Sequence, residues 1–147
     1  MAGGKKDTKR DVLLRHLKYE LVMLNHTFQQ LQMKSLPQNE VNVLIESFCL
    51  HARNLIDFFS DSHKDKGREA AAWHFTKDTY RPPAKPKGLC EKINAQILHI
   101  RYDRTSAASE KIGTADRLAL WTLVRNRVAY FLEELRPEYQ SIWRESW

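Results

Sequence analysis

Residues 38–59 read QNEVNVLIESFCLHARNLIDFF, and this stretch decides the fold. Val41, Leu44, Ile45, Phe48, Ala52, Leu55, Ile56 and Phe59 recur at spacings of three and four, the pattern of an amphipathic helix. The stripe is wide, so the helix is central and has neighbours on more than one side. Pro37 suits its first turn, where a missing N–H does no harm.

Working outward, an earlier helix is expected from about Asp11 to Met33, with Leu13, Leu17, Leu21, Leu24, Phe28 and Leu31 on one stripe. Asp11 is its expected cap, because a carboxylate accepts an orphan backbone N–H. Residues 1–10 read as a flexible basic arm and 11–147 as one helical domain. After the central helix, residues 60–88 are irregular, and Pro82, Pro83 and Pro86 exclude a helix there. Trp73, Phe75 and Tyr80 argue that this segment packs down against the bundle; display to a partner is the other reading. A third helix spans about Gly88 to Arg104 on the stripe Leu89, Ile93, Ile97 and Ile100. A fourth runs from a Thr114 cap to about Arg136 with Leu120, Trp121, Val124, Val128, Phe131, Leu132 and Leu135 inward, and Pro137 stops it. Tyr139 and Trp143, four apart, suit a short docking helix. The fold class is therefore all-α, a four-to-five-helix bundle with a proline-rich loop between helices two and three.

Composition agrees. The 147 residues are 42% apolar and 29% charged, an ordinary mix for one globular domain. No run approaches the roughly 18–20 apolar residues of a membrane span, so no membrane partner is expected. The polar start MAGGKKDTKR lacks a secretory h-region, which points to the cytoplasm. Cys49 and Cys90 sit in helical patterns as reduced core thiols. No CxxC, HExxH or ExxH pair appears, so no cofactor and no metal is expected. The net charge of +6 permits an acidic partner such as RNA, although Lys5, Lys6, Lys9, Arg10, Lys85 and Lys87 put much of the excess in the arm and the loop.

Some polar residues stand where apolar ones belong. Glu46, Arg53 and Asp57 fall within about 20° of one line on a helical wheel, either a solvated face or the wall of a cleft. Arg53 and Asp57 are spaced to pair. His51 lies in angle between Leu44 and Phe58, at the edge of the apolar arc. It reads as a hydrogen-bonded core histidine or as a general base. Arg104 falls within the Ile93–Ile97–Ile100 stripe, so it needs a carboxylate, an anion or an escape along its stem. His99 and Asp103 are close by. If helices two and three are antiparallel neighbours, His51, Arg53, His99 and Arg104 converge on one polar hollow. His51 and His99 are then the candidate catalytic residues, and Arg53 and Arg104 the phosphate holders. Glu46, Asn54, Asp57 and Asp103 support them.

The segments Glu46–Phe59 and Ile93–Arg104 resemble a group of uncharacterised small bacterial helical proteins carrying HARxLIDFF and IxxxIxHΦxxxR helices. More loosely, the chain resembles the HEPN superfamily of prokaryotic helical domains. Many of these are metal-independent ribonucleases of defence or toxin–antitoxin systems, marked by an arginine, often followed by a polar residue, with a histidine four to six residues on. Arg125-Asn126 opens such a pattern, with Tyr130 at the histidine position. The resemblance implies a HEPN-like module acting on RNA. The alternative is a non-enzymatic helical interaction protein, a homodimer whose buried polar network fixes helix register.

Overall fold

A computed structural model describes residues 9–33, 35–60, 69–98 and 111–145. These form five α-helices and no strand beyond a single β-bridge. Helix α1 is Leu17–Gln30, entered through a widened π turn at Val12–His16. Helix α2 is Gln38–Ser60, α3 is Lys87–Ile93 with a π continuation over Asn94–Leu98, α4 is Thr114–Glu134 and α5 is Pro137–Glu145. The chain is an all-α bundle. Among the described residues, no helix is long and apolar enough to cross a membrane.

Side-chain pairs fix the helix directions. Glu20 meets His51 and Phe28 meets Phe48, so α1 and α2 are antiparallel. Phe28 also stacks on Trp121, while Lys9 and Arg10 reach Tyr139 and Glu145 past the far end of α4. Helix α1 is thus antiparallel to α4 as well. Asp57 takes Lys85 and Arg53 takes Asn94, which sets α3 antiparallel to α2. The core lies between these elements. Leu13, Phe48, Leu55, Ile56, Phe59, Ile93, Leu120, Val124 and Phe131 are essentially inaccessible, each stabilising the fold by about 1.5–3 kcal/mol through burial. Phe58, Phe59, Phe75 and Phe131 pack edge-on or tilted and seal one end.

Residues 74–81 lie on this end of the bundle. Thr76 bridges Leu135, Lys77 N–H donates to Glu134 O at 2.8 Å, and Arg136 N–H to Phe75 O at 3.1 Å. The Arg136 guanidinium donates to the carbonyls of Thr76 and His74. Tyr80 Oη donates to Phe59 O, and its ring stacks on Tyr130.

Three local expectations are corrected and a fourth, the role of Pro137, is extended. Asp11 is itself helical and makes no cap; it pairs with Arg15 at 3.4 Å, because the helix already includes Lys9 and Arg10. Those two residues therefore belong to the bundle and not to the arm. Thr114 is the first residue of α4 and not its cap. Gly113 holds that position, with its N–H donating to Asp116 Oδ2 at 3.1 Å. Pro137 opens α5 as well as following α4: Arg136 O accepts the first turn's N–H groups, and proline's missing donor is harmless at a first helical position.

Candidate functional site

The central polar contact joins α1 and α2. His51 Nδ1 lies 2.6 Å from Glu20 Oε2. A carboxylate only accepts, so Nδ1 carries the hydrogen. Asn54, one turn further along α2, donates to both carboxylate oxygens at 3.3 Å. Tyr19 closes over the imidazole edge-on, with ring centroids 5.6 Å apart. His51 is only 6% exposed.

Arg53 lies two residues from His51, a rotation of about 200° on a helix, and faces another neighbour. Its Nε is 3.4 Å from Asp57 Oδ2 and its Nη1 donates to Asn94 Oδ1 at 3.4 Å, where α3 widens into its π turn. Asp57 also takes Lys85 Nζ at 2.8 Å, so one carboxylate is shared by two cations. Cys90 lies against this group, and burial pushes its thiol pKa up, with the Arg53 charge pulling the other way. Glu46 stands apart from Arg53 and Asp57, exposed beside a cleft near Gln96, Ile97 and Lys111.

His51 and Arg53 therefore serve two different seams, α1–α2 and α2–α3. His99, Asp103 and Arg104 lie outside the described residues. Between the seams, Asn54, Asp57, Phe58, Glu69 and Ala70 line a hollow of about 310 Å³. Of its two carboxylates, Asp57 is already paired with Arg53 and Lys85.

Glu20 was not anticipated, yet its signal was present: it stands three residues from Leu17 and four from Leu24, at core spacing. Also unanticipated is a stack across α1 and α4. Phe28 lies on Trp121 with centroids 4.6 Å apart and planes 7° from parallel, and the Arg125 guanidinium lies over the indole at 4.5 Å. The outer side of α4 holds an apolar trough of about 890 Å³ that includes Leu118, Ala119, Leu123 and Tyr130, with Arg81 and Arg127 at one end. Among the described residues, no group of three or more His, Cys, Asp or Glu is placed to hold a metal ion. Comparison of the chain with protein-family profiles, curated proteins and solved structures finds no significant match.

Proposed function

We propose that the chain is a non-enzymatic helical interaction module that pairs with a second copy of itself through the outer face of α4, its interhelical polar pairs fixing helix register. The observation that carries this reading is the two-sidedness of α4. Leu120, Val124 and Phe131 are buried in the core, while Leu118, Ala119 and Leu123 line the trough on the other side, with Leu118 53% exposed. Apolar side chains left exposed beside a buried core face offer a surface to a partner. Ala115, Ala119 and Thr122 recur at spacings of four and three along the trough. Such small side chains let a second helix approach to the close end of the usual 8–10 Å interaxial distance. In an antiparallel two-fold pair, the basic ends at Arg81 and Arg127 of the two copies lie apart.

The polar groups agree with a structural role. The His51, Glu20 and Asn54 side chains engage one another, as do Arg53, Asp57, Lys85 and Asn94. Sedimentation velocity tests the pairing. Wild type sediments as a dimer, and Leu118→Glu with Ala119→Glu sediments as a monomer with unchanged helicity. A wild-type monomer at every concentration tried removes the reading.

A HEPN-like, RNA-directed role in a prokaryotic defence or toxin–antitoxin setting is the second reading. It is favoured by the basic end of the same trough, where Arg81 joins Asn126, Arg127 and Tyr130, the last three from the segment that resembles the HEPN pattern, although Arg125 of that pattern faces the opposite cleft. Guanidinium groups there suit phosphate oxygens. The assay is cleavage of a broad RNA panel in EDTA by wild type, His51→Ala and His99→Ala, alongside salt-dependent binding by Arg127→Ala. Absence of both cleavage and salt-dependent binding in wild type eliminates it.

A further inference from the structure

On the side of α4 opposite the trough, α1, α4 and Trp143 of α5 flank an open cleft of about 780 Å³. Its size falls in the range of small-molecule sites, which are mostly apolar with a few placed polar groups. The cleft is polarised along its length. Because α1 and α4 are antiparallel, Asn25, His26 and Gln29 share one end with Arg125. Leu21, Val22, Val128, Leu132 and Trp143 form the other. No lining residue is acidic.

We propose that this cleft binds a linear aliphatic carboxylate of medium chain length, its headgroup on Arg125 and its tail running toward Leu132 and Trp143. Arg125 carries the argument. Its guanidinium carbon lies over the Trp121 ring, 4.5 Å from the centroid, and Phe28 stacks on the same indole. A cation–π contact uses none of the guanidinium N–H donors, and two of them match a carboxylate in a bidentate pair. The same stack limits the rotamers that binding must freeze. From Arg125 to Leu132 is seven residues, about 10 Å along the helix, which sets the reach of the tail. An uncharged alcohol leaves the guanidinium edge without its anion, and a short carboxylate leaves the apolar end unfilled.

The site is independent of the α4 self-pairing surface, and the experiment separates them. Decanoate, below its micellar concentration, is titrated into the full chain and followed by calorimetry and by backbone amide shifts. Decanol, acetate and an acidic amphipathic peptide serve as parallel probes. Decanoate is expected to bind and to shift amides along 21–29 and 121–132, with decanol weaker and acetate silent. Arg125→Gln weakens decanoate about tenfold, the scale of a lost charge-assisted contact. Ala129→Trp, which fills the cleft from an exposed helix position, abolishes binding while thermal unfolding and sedimentation stay as in wild type. The proposal is overturned if decanoate does not bind wild type, if both variants bind it like wild type, or if only the peptide binds.

Discussion

His51 Nδ1 lies 2.6 Å from Glu20 Oε2 across the α1–α2 seam, and Asn54 braces the same carboxylate from the next turn. One acidic side chain thereby collects two polar groups from the central helix at a place where both stripes are otherwise apolar. The contact fixes register, since a slip of one turn between the helices leaves the buried imidazole without its half-buried carboxylate partner.

His51→Ala and Glu20→Ala are each expected to destabilise the fold by about 1.5–3 kcal/mol, the range for hydrogen bonds to charged groups. Because each single change removes the same contact, the double variant loses less than the sum, with a coupling of about 1 kcal/mol or more. Urea unfolding of the four proteins measures this cycle. Strict additivity shows that the two side chains act separately.

The two cysteines predict a pH dependence. Cys49 is inaccessible, and burial pushes its thiol from 9.0 up to about 12, with the Arg117 charge opposing the shift and Asp116 and Glu46 adding to it. The unfolded chain releases this proton near 9 while the folded chain keeps it, so between pH 9 and 12 the folded state binds more protons. Stability is unaffected by this group below pH 9 and falls as pH rises above it, by about 1.4 kcal/mol per unit at most. Cys90 and Tyr80 shift in the same direction through burial. Cys49→Ala therefore flattens the alkaline decline of stability without abolishing it, and chemical denaturation at pH 8, 9 and 10 reads the slope. Thiol alkylation at pH 8 should require unfolding at Cys49; rapid labelling of native protein there contradicts its placement.

Much of the bundle was legible because apolar spacing reports which face of a helix is buried. The stripes through Leu13, Leu17 and Leu24, through Phe48, Leu55 and Phe59, and through Leu120, Val124 and Phe131 are all core. A wheel says nothing of which neighbour a face meets. His51 and Arg53 were read as candidates for one hollow, yet the first faces α1 and the second α3, and Glu20 stood unremarked on the stripe next to them. The caps were misread for a local reason. Asp11 and Thr114 have the right chemistry, but the helix extends past the first, and α4 starts one residue too early for the second, with Gly113 at the cap position and Thr114 Oγ1 accepting from Arg117 instead.

Asp116 performs two tasks, which gives a third prediction. Its Oδ2 accepts from Gly113 N–H and lies 2.9 Å from Lys92 Nζ, tying the start of α4 to α3. Asp116→Ala is expected to cost about 1–2 kcal/mol, mostly through the terminus it closes. Lys92→Ala removes the ion pair with Asp116 but leaves the terminus closed, and is expected to cost under about 1 kcal/mol. Thermal melts of both variants decide the order; an equal or larger loss from Lys92→Ala shows that the α3–α4 tie outweighs the helix terminus.

Arg136 should decide whether the segment after α2 stays docked. Its Nε donates to Thr76 O at 2.9 Å and its Nη2 to His74 O at 3.2 Å, on either side of the Phe75 carbonyl that accepts its own N–H at 3.1 Å. A planar fork serves two carbonyls at once, while an ammonium on a flexible stem acts as a single point charge. Arg136→Met keeps the stem and removes both side-chain donors, with an expected loss of about 1–3 kcal/mol. The loss should be local before it is global, because Phe75 is held by core aromatics while Lys77 is exposed beyond them. Hydrogen exchange at the Lys77 amide, which donates to Glu134 O, should therefore accelerate, and trypsin should cut after Lys77 in Arg136→Met well before it does in wild type. Arg136→Lys should fall between the two. Unchanged exchange at Lys77 in both variants places the docking in the Phe75 and Tyr80 side chains and not in the arginine.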